Sequence, residues 1–448
     1  MKITNKQFIL ILMVLALISG FFWAFVFGND PGVSDDARGY DETAQSIVSE
    51  GIFNNDRMED TLDRPVYSFF LAIIYKVFGH SFVIVRIIQI LFFVMIALLV
   101  YKLCNLLFTE KVSRFAGVLT AFSYSLAAHA GILYREVLFA FLVLFLVWCL
   151  YKAQFTFKVI WFLLAGAVLG IMFLTNSVVQ FLIFLILINF IFVFYKKRKI
   201  KDLIPRLVLF VLAFLLVLTP WFVFYKSNFG QIPTGGGGLY LAERAETMQN
   251  IDDKYLSHLI GNGIGDFVAF QLFSDYDPKL SRHGWEAWRK HDELLAQGQN
   301  VKEADKEFIE DSLRTFAKHP IMFLKMEFID FLKFNQPMTP KVWMQAMFVG
   351  THPGIADWMK ILIIFGIRFV YLIFSGLIIY SILKTFKKWS NVSWLIIIIF
   401  YFNFVYSTLH ATARYSIPIY PLYIIFLTLG VMLLINKFRH KDENLLNN

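Results

Sequence analysis

Long apolar runs are the feature that most constrains the fold of this 448-residue chain. A helix needs ~20 mostly apolar residues to cross a ~30 Å hydrocarbon core, and about ten stretches of the sequence meet that need. The sequence therefore predicts an all-α polytopic membrane protein with about ten transmembrane helices. The predicted spans lie at roughly 7–28, 82–108, 112–128, 137–153, 158–173, 176–195, 204–226, 358–383, 392–409 and 417–436.

The composition excludes the other broad classes of protein. Hydrophobic residues make up 58% of the chain and charged residues 17%, whereas a soluble domain has roughly 45–50% and about 25%. The same composition excludes a disordered chain. The two cysteines, Cys104 and Cys149, fall inside predicted spans and cannot form the disulfide framework of a small secreted domain.

Basic residues predict the orientation, because Lys and Arg stay on the cytoplasmic side of a membrane. Alternate loops are basic, and the cluster at 196–201 is the clearest case. The first span begins behind Lys2 and Lys6 and is predicted to be retained, since no A-x-A cleavage site follows it. With an even number of spans, both termini are cytoplasmic and the loops at 29–81 and 227–357 lie outside.

The net charge of +9 divides along this topology. The outer loop 227–357 contains 13 Lys and Arg against 18 Asp and Glu, a charge of −5, and the rest contains 29 against 15, a charge of +14. The basic surplus is a topology signal, so nucleic acid is not a predicted partner. The predicted organisation is a transmembrane module at 1–226, the outer loop region, C-terminal transmembrane helices at 358–436 and a cytoplasmic tail at 437–448.

The first outer loop is predicted to contain two juxtamembrane helices. One begins at Asp35 and Asp36 and stops at Gly51, with an acidic N-terminus and a glycine just past the end. Asp36 and Tyr40 are then one turn apart on the same side. The second runs from Pro65 to about Gly79, is too short to cross the membrane, and is predicted to lie along its surface.

The large outer loop is predicted to be mostly helical. Apolar residues recur at helical spacing from Val301 to Lys318, and His319 and Pro320 break the pattern. A second helical stretch follows from Ile321 to Phe334. It fits an interfacial helix that returns the loop to the bilayer and fits a plain soluble helix equally well.

Several charged residues fall on the outer membrane face in this topology. A charge at the bilayer centre costs ~2.5–3.5 kcal/mol, so charges next to the membrane need an explanation. A carboxylate can take a proton from an attacking hydroxyl, and arginines can hold a departing phosphate through charge-assisted hydrogen bonds. The cluster therefore favours transfer from a phosphate-linked donor. Its members are Asp35 and Asp36 after the first span, Arg64 before the short helix, Arg135 and Glu136 before the fourth span, and Arg414 before the last.

Each of these residues also has a purely structural explanation. Asp35 or Asp36 could cap the helix that follows, Arg135 and Glu136 could form a local ion pair, and the other arginines could extend to lipid headgroups. Spacing alone does not decide between the two readings.

No cofactor is predicted. His129, His352 and His410 fall on the outer side but lack the spacing of metal ligands, so the sequence does not indicate a metal site. A requirement for a divalent metal remains an alternative. The run Gly235–Gly238 is not followed by Gly-Lys-Ser/Thr and is therefore no phosphate-binding Walker loop.

Four segments, in order along nearly the whole chain, resemble the GT-C glycosyltransferases. These membrane enzymes include the dolichyl-phosphate-mannose protein mannosyltransferases and the lipid A aminoarabinose transferase, of the glycosyltransferase family 39 type. The first segment carries the family's outer-loop pattern, an acidic residue four before a Tyr and eight before an Ala. The segments are Ser34–Ala44, Arg64–Tyr67 continuing through Gly79 to Arg86, Thr219–Gly230 followed by the glycine run, and Arg414–Pro421 with its R-Y-x-x-P-x-x-P pattern.

The resemblance implies a GT-C-like fold and a polyprenyl-phosphate sugar donor. It places the active site at the extracytoplasmic membrane face, within the module 1–226. The spacing to Tyr40 matches Asp36 to the family's catalytic acidic position, with Asp35 as the alternative one residue away. Glu136 stands where such enzymes place a second acidic residue.

The same resemblance suggests roles for the basic and aromatic residues. Arg64 and Arg414 are expected to stabilise the leaving polyprenyl phosphate, with Arg135 or Arg86 as further candidates. The expected substrate-pocket residues are Tyr40, Tyr67 and Tyr415.

The sequence therefore predicts a multi-pass glycosyltransferase of the cell membrane, a hexosyl- or pentosyltransferase. It would move a sugar to an extracytoplasmic lipid, protein or cell-envelope glycan, inverting the anomeric centre with Asp36 as general base. Two alternatives remain. One is a polysaccharide polymerase or ligase that uses glycans linked to a lipid pyrophosphate. The other is a transporter, which requires charged residues in the spans; Arg368 is the clearest of these.

Overall fold

The computed structural model of the chain describes residues 3–26, 35–51, 64–195, 200–229, 237–281, 284–299, 301–336, 356–439 and 445. Regular structure in these ranges is helical, which confirms the predicted all-α class. The chain divides into two compact units. The first comprises Met1–Pro233, Phe374–Phe400 and Ile417–Asn448, and the second comprises Thr234–Ile373 and Tyr401–Ser416.

The α-helices are numbered here in chain order. They are α1 (Asn5–Val26), α2 (Asp35–Glu50), α3 (Val66–Phe78), α4 (Phe82–Leu107), α5 (Glu110–Ala121), α6 (Tyr124–His129), α7 (Glu136–Thr156), α8 (Val159–Thr175), α9 (Leu182–Phe194), α10 (Ile200–Phe229), α11 (Gly237–Asn250), α12 (Tyr255–Gly263), α13 (Asp266–Leu272), α14 (Trp285–Ala296), α15 (Val301–Lys318), α16 (Pro320–Phe334), α17 (Asp357–Thr385), α18 (Trp389–Thr408) and α19 (Tyr420–Phe438).

Seven apolar segments in the described part of the chain are long enough to cross a membrane. One of them, Trp358–Thr408, contains both α17 and α18. Helix α8 is equally apolar but has 17 residues. The short helix α3 has 13 residues, as expected of a helix that does not span.

The predicted span at 112–128 is divided in the structure. Helix α5 has 12 residues and α6 has 6, so neither is long enough to cross alone. The backbone N–H groups of Phe122 and Ser123 bond back to the carbonyls of Val118 and Thr120 and close α5. Ser123 then takes an extended conformation before α6 begins. The sequence did not predict this break, because the turn is closed by bonds between backbone groups, which every residue carries.

Helix α7 is the most enclosed span of the first unit. It is buried on almost every side and packs against α4 and α8. Its sequence is apolar all round, as expected of a helix surrounded by other helices. Because Glu136 is its first residue, this packing fixes the position of a predicted site residue.

Polar side chains tie α7 and α9 to the start of α18 within the same unit. Gln154 Nε2 donates to the Ser390 carbonyl at 2.6 Å, and Gln154 Oε1 accepts from Trp394 Nε1 at 2.6 Å. Asn189 makes a similar pair of bonds, donating to Ser393 Oγ at 3.0 Å and accepting from Trp389 Nε1. In lipid, such interhelical bonds satisfy groups that have no water to bind.

Glycine allows α8 and α10 to approach closely. A Cβ on Gly166 would collide with the backbone carbonyl of Phe210, and one on Gly170 would stand 2.8 Å from Val217 Cβ. The two glycines form a G-x-x-x-G pair, the spacing that brings small residues to one face of a membrane helix.

Gly166→Val is expected to destabilise the first unit by about 1–3 kcal/mol, because the obstacle is backbone that cannot rotate away. Thermal unfolding of the purified protein would measure the loss. The matched control is Gly376→Val on α17, where a Cβ meets nothing within 4 Å. Equal melting temperatures for the two variants would contradict the close packing.

The second unit is built on two small apolar clusters. One joins α11 to α14 and α15, and the other joins α11 to α16. The predicted helices over 301–318 and 321–334 are α15 and α16, separated at His319 as expected. The core residues are Leu239, Ala287, Leu294, Ala304 and Phe308 in the first cluster, and Met248, Ile251, Met322, Met326 and Ile329 in the second.

His258 on α12 is fully buried, and neither ring nitrogen has a hydrogen-bond partner among the described residues. Burial, with help from the charge of Lys254, lowers the pKa of His258 to about 4. The unfolded chain takes up a proton near pH 6.5, so stability is full above that pH and falls as the pH drops towards 4.

We therefore expect a melting temperature several degrees lower at pH 5 than at pH 7.5, since ~1 kcal/mol corresponds to about 2–4 °C in a domain of this size. His258→Leu should reduce this pH dependence in a thermal-unfolding series. His319→Leu, at an exposed position, should leave it unchanged. An identical pH dependence in all three proteins would show that His258 is not the titrating group.

Candidate active site

Helix α2 presents the predicted acidic motif. Asp36 is exposed near its start, while Ala37, Tyr40 and Ala44 are buried on the face that packs against α3. This is the helical spacing expected of a one-sided apolar stripe. The side chain of Asp35 lies outside the described part of the structure, as do Gly235, Gly236 and His352.

Tyr40 is the first member of a chain of buried polar groups. Its ring meets the ring of Tyr67 edge-on, with centroids 4.9 Å apart. The Tyr67 hydroxyl donates to Gln89 Oε1 at 2.9 Å, and Gln89 Nε2 donates to the carbonyls of Ala130 and Ile132 at 3.1 and 2.8 Å. The first-loop helix is thereby connected, through α3 and α4, to the turn that leads into α7.

Four of the predicted charged residues act on the Tyr40 phenol. Burial raises the pKa of Tyr40; Arg135 and Arg64 oppose this change, and Glu136 and Asp36 add to it. Arg135 and Glu136 are 8% and 4% exposed, respectively. Charged residues from α2, from just before α3 and from the start of α7 thus all lie within electrostatic range of one phenol.

Backbone carbonyls hold two arginines in place at the turn before α7. Arg135 Nη1 donates to the Thr175 carbonyl at 3.3 Å, and Arg86 Nε donates to the Gly131 carbonyl at 2.9 Å. Glu136 follows in the first turn of α7, where the helix dipole stabilises a negative charge. His129, on α6, uses Nδ1 to bond the Ser125 carbonyl at 2.7 Å.

A second polar group on α2 was not predicted from the sequence. Asp41 Oδ1 accepts a hydrogen bond from the Tyr75 hydroxyl at 2.5 Å and lies 2.9 Å from His80 Nε2. Burial, together with the hydrogen bond to Asp41, raises the pKa of Tyr75. Asp41 directly follows Tyr40, and its position in the motif was the only sequence signal for this triad.

Tyr75→Phe is expected to destabilise the contact between α2 and α3 by about 1–2 kcal/mol, because the hydroxyl bonds a carboxylate. A double-mutant cycle with Asp41→Asn, measured by thermal unfolding, should give a coupling of about 0.5–3 kcal/mol. Tyr195→Phe, at an exposed hydroxyl, is the control. Additive losses would mean that the bond contributes nothing.

Arg414 and Tyr415 belong to the second unit and are described within it. The Arg414 guanidinium lies 5.2 Å from the centroid of the Tyr415 ring, which stacks on Tyr406 at 5.0 Å. The two residues lie near the start of a 3-10 segment, Ala413–Ile419. The last predicted phosphate-binding arginine therefore lies over an aromatic face.

The second unit also contains a buried ion cluster. Arg244 on α11 pairs with Asp330 and, at 3.2 Å, with Glu327, both on α16. Lys333 Nζ approaches Asp330 Oδ1 at 3.0 Å and donates to the Ser281 carbonyl at 2.8 Å. The sequence showed the charges of α16, but it gave no sign that Arg244 joins them from 83 or more residues away.

Among the residues that the structure describes, no group of three or more His, Cys, Asp or Glu side chains could hold a metal ion.

Residues 63–223 match the family model described as dolichyl-phosphate-mannose-protein mannosyltransferase. The chain superposes on the oligosaccharyltransferase AglB from Archaeoglobus fulgidus, in complex with an inhibitory peptide and a dolichol-phosphate, with a TM-score of 0.54. The match has 14% identity and covers 97% of this chain and 51% of that one. The apo form of the same enzyme gives a TM-score of 0.52 at 14% identity, and the match covers 99% of this chain and 53% of that one. The chain has a GT-C fold.

The GT-C resemblance is thus confirmed, and the chain spans about half the length of the archaeal structures it matches. ArnT from Cupriavidus metallidurans, bound to undecaprenyl phosphate, gives a TM-score of 0.43 at 13% identity, covering 96% of this chain and 78% of that one. No curated protein sequence matches the chain.

Proposed function

We propose that this GT-C chain is an integral membrane glycosyltransferase that moves a sugar from a polyprenyl-phosphate donor to an extracytoplasmic acceptor. The observation that carries the proposal is that Arg64, Arg135, Glu136 and Asp36 all lie within electrostatic range of the buried Tyr40 phenol. It unites a candidate base with cations that suit a phosphate. The family match over residues 63–223 supports the reaction class. The dolichol-phosphate complex of AglB supports the class of donor.

In this proposal Asp36 is the general base. Its carboxylate takes the proton of the acceptor hydroxyl as the hydroxyl oxygen attacks the anomeric carbon. The bond between that carbon and the phosphate oxygen breaks, and the electron pair leaves with the polyprenyl phosphate. Attack from the face opposite the phosphate inverts the anomeric centre in one displacement.

The arginines stabilise the leaving phosphate. Arg64 and Arg135 can donate charge-assisted, bidentate hydrogen bonds to the phosphate oxygens, and Arg414 is the candidate from the second unit. Glu136, beside Arg135 in sequence, would orient these arginines or the acceptor. The Tyr40 phenol is protonated at neutral pH, as a tyrosine normally is, so it can donate a hydrogen bond to substrate.

A transporter would need charged residues in the spans that are available to a substrate, and Arg368 gives little support to that alternative. Its Nε donates to the Ile264 carbonyl at 3.1 Å within the second unit. The clearest of the ionisable residues within the predicted spans therefore donates a structural hydrogen bond to backbone.

The test is sugar transfer by the purified protein in lipid nanodiscs. A panel of labelled polyprenyl-phosphate monosaccharides is offered with a membrane-envelope extract as acceptor. We expect one donor to give a labelled product of inverted anomeric configuration together with free polyprenyl phosphate. Transfer from pyrophosphate-linked oligosaccharides alone would favour a polymerase or ligase. Movement of the lipid-linked sugar across liposomes without covalent transfer would favour a transporter.

A further inference from the structure

Helix α16 in the second unit has its polar and apolar sides reversed relative to a helix in water. From Ile321 to Phe334, every exposed residue is large and apolar, whereas the charged residues are buried or partly buried. A helix on the surface of a soluble domain shows the opposite arrangement. The exposed residues form a single stripe along the helix, called here the outward stripe, and they are Ile321, Leu324, Phe328 and Phe331.

The charged side chains of α16 have partners inside the unit. Glu327 and Asp330 pair with the buried Arg244, and Lys333 Nζ lies 3.0 Å from Asp330 Oδ1. Lys325 Nζ lies 5.1 Å from the centre of an aromatic ring of α12. The helix therefore directs its charges inward and its largest apolar side chains outward.

The neighbouring helix α15 has the usual arrangement. Its exposed side carries Lys306, Glu310 and Arg314, which form ion pairs of i, i+4 spacing. The two helices belong to the same unit, so the unit has one surface suited to water and another, on α16, that is not. Large exposed apolar surfaces of this kind mark a contact with an apolar partner.

Helix α16 runs along the end of a membrane span. Asn335 Nδ2 donates to Asn403 Oδ1 at 2.7 Å, and Thr408 Oγ1 donates to Glu327 Oε2 at 3.4 Å. The order of these contacts shows that α16 is antiparallel to the last turns of α18. Helix α18 has 20 residues, about the number that crosses the hydrocarbon core. Asn403 lies about 8 Å before its end, at 1.5 Å per residue, so the C-terminal end of α16 lies at membrane depth.

The second unit also contacts α17 at membrane depth. The Arg368 Nε donates to the carbonyl of Ile264, between α12 and α13, at 3.1 Å. Helix α17 begins at Asp357 and has 29 residues, roughly nine more than the ~20 that cross the hydrocarbon core. Even if that whole surplus stood outside the membrane at Asp357, Arg368 would still lie within the core. The turn at Ile264 is therefore below the membrane surface.

We propose that α16 is embedded in the leaflet that surrounds the last turns of α18, with its outward stripe against lipid acyl chains. The stripe then continues the lipid-facing surface of the span beside it. A charge exposed to hydrocarbon is costly, which explains why the charged residues of α16 all point to the interior of the unit. The sequence pattern of residues 321–334 fitted a soluble helix equally well; the contacts with α18 favour the membrane.

Spin labels on single cysteines test this placement in the full-length protein, in phosphatidylcholine nanodiscs. The buried Cys104 and Cys149 are first replaced by alanine. A label at Phe328→Cys or Phe331→Cys should collide with oxygen, which concentrates among acyl chains, and rarely with a water-soluble nickel chelate. We expect an oxygen-to-nickel collision ratio at least about tenfold above that of a label in water, because hydrocarbon excludes polar solutes.

Two labelled positions calibrate the measurement. Leu313→Cys on α15 is the matched control for Leu324→Cys, since the two leucines are 55% and 66% exposed; the label on α15 should behave as in water. Phe404→Cys, at an exposed position of α18, should behave as in lipid. The collision ratio should also rise from Leu324→Cys to Phe331→Cys, because the C-terminal end of α16 is the deeper one.

Two results would overturn the inference. One is a water-like ratio at both Leu324→Cys and Phe328→Cys. The other is a set of immobile labels that neither reagent reaches, which would show that protein covers the stripe, either another part of this chain or a second copy of it.

A second measurement needs no substitution. The wild-type protein is irradiated in nanodiscs whose lipids carry a diazirine within the acyl chain, and the cross-linked tryptic peptides are identified by mass spectrometry. We expect lipid adducts on His319–Lys325 and Met326–Lys333, and none on the peptides of α15. Adducts on the spans without any on α16 would contradict the placement. Neither measurement requires sugar transfer, so the inference and the proposed function can fail separately.

Discussion

Asp36→Asn is expected to lower the rate of sugar transfer by about 10²–10⁴-fold, the usual contribution of a general base. Asparagine keeps the size and the exposed position on α2 but cannot accept the hydroxyl proton. The loss should fall on kcat, because the carboxylate acts on the transition state. Release of labelled polyprenyl phosphate, followed over time, measures it directly.

Two further variants make this result specific. Glu42→Gln removes another exposed carboxylate from the same helix and should leave transfer unchanged. Asp35→Asn tests which of the two neighbouring acids is the base. A large loss of transfer activity in Asp35→Asn, with normal activity in Asp36→Asn, would assign the base to Asp35. Full activity in both Asp→Asn variants would exclude this motif as the source of the base.

Arg244→Met is expected to destabilise the second unit by about 3–5 kcal/mol. The guanidinium is almost completely buried, and its removal leaves Asp330 and Glu327 in the interior without their main cation. Burial lowers the pKa of Arg244 to about 10, so the side chain remains charged at neutral pH. Burial also raises the pKa of Glu327, and the charge of Arg244 opposes this change. Without Arg244, the ionised carboxylate of Glu327 would be less stable in this half-buried position.

Thermal unfolding should show the effect as a fall of about 10 °C in the transition of this unit. Arg289→Met is the matched control, because Arg289 forms its ion pairs on an exposed face of α14 and such pairs contribute about 0–1 kcal/mol. Adding Asp330→Asn and Glu327→Gln to Arg244→Met should recover part of the loss. A change below ~1 kcal/mol in the single variant would show that water reaches the cluster.

Local pattern was sufficient to predict much of the fold. Span lengths follow from the hydrocarbon thickness, and helix α2 follows from an acidic start, an apolar stripe and Gly51, whose φ is +69°. The break inside 112–128 could not be predicted, because residues 122 and 123 are as compatible with helix as with a turn. Only the packing of α5 and α6 against α1 distinguishes the two.

The sequence predicted which residues belong to the candidate site, but it did not predict how they are arranged. Topology indicated that Asp36, Arg64, Arg135 and Glu136 share a membrane face, and any of them could still have been a cap or a headgroup contact. Their joint effect on Tyr40 depends on how α2 and α3 rest on the turn before α7. No spacing in the sequence encodes that contact.

The sequence by itself determined the membrane class, the helical stretches and the acidic motif, since each depends on hydrophobicity or on spacing within one turn. Tertiary structure alone decided the rest. It brings His80 to Asp41 and Arg244 to Asp330. These partners are separated by 39 and 86 residues, respectively. Their meeting is set by side-chain packing between helices, which depends on all the contacting surfaces together and has no local sequence signature.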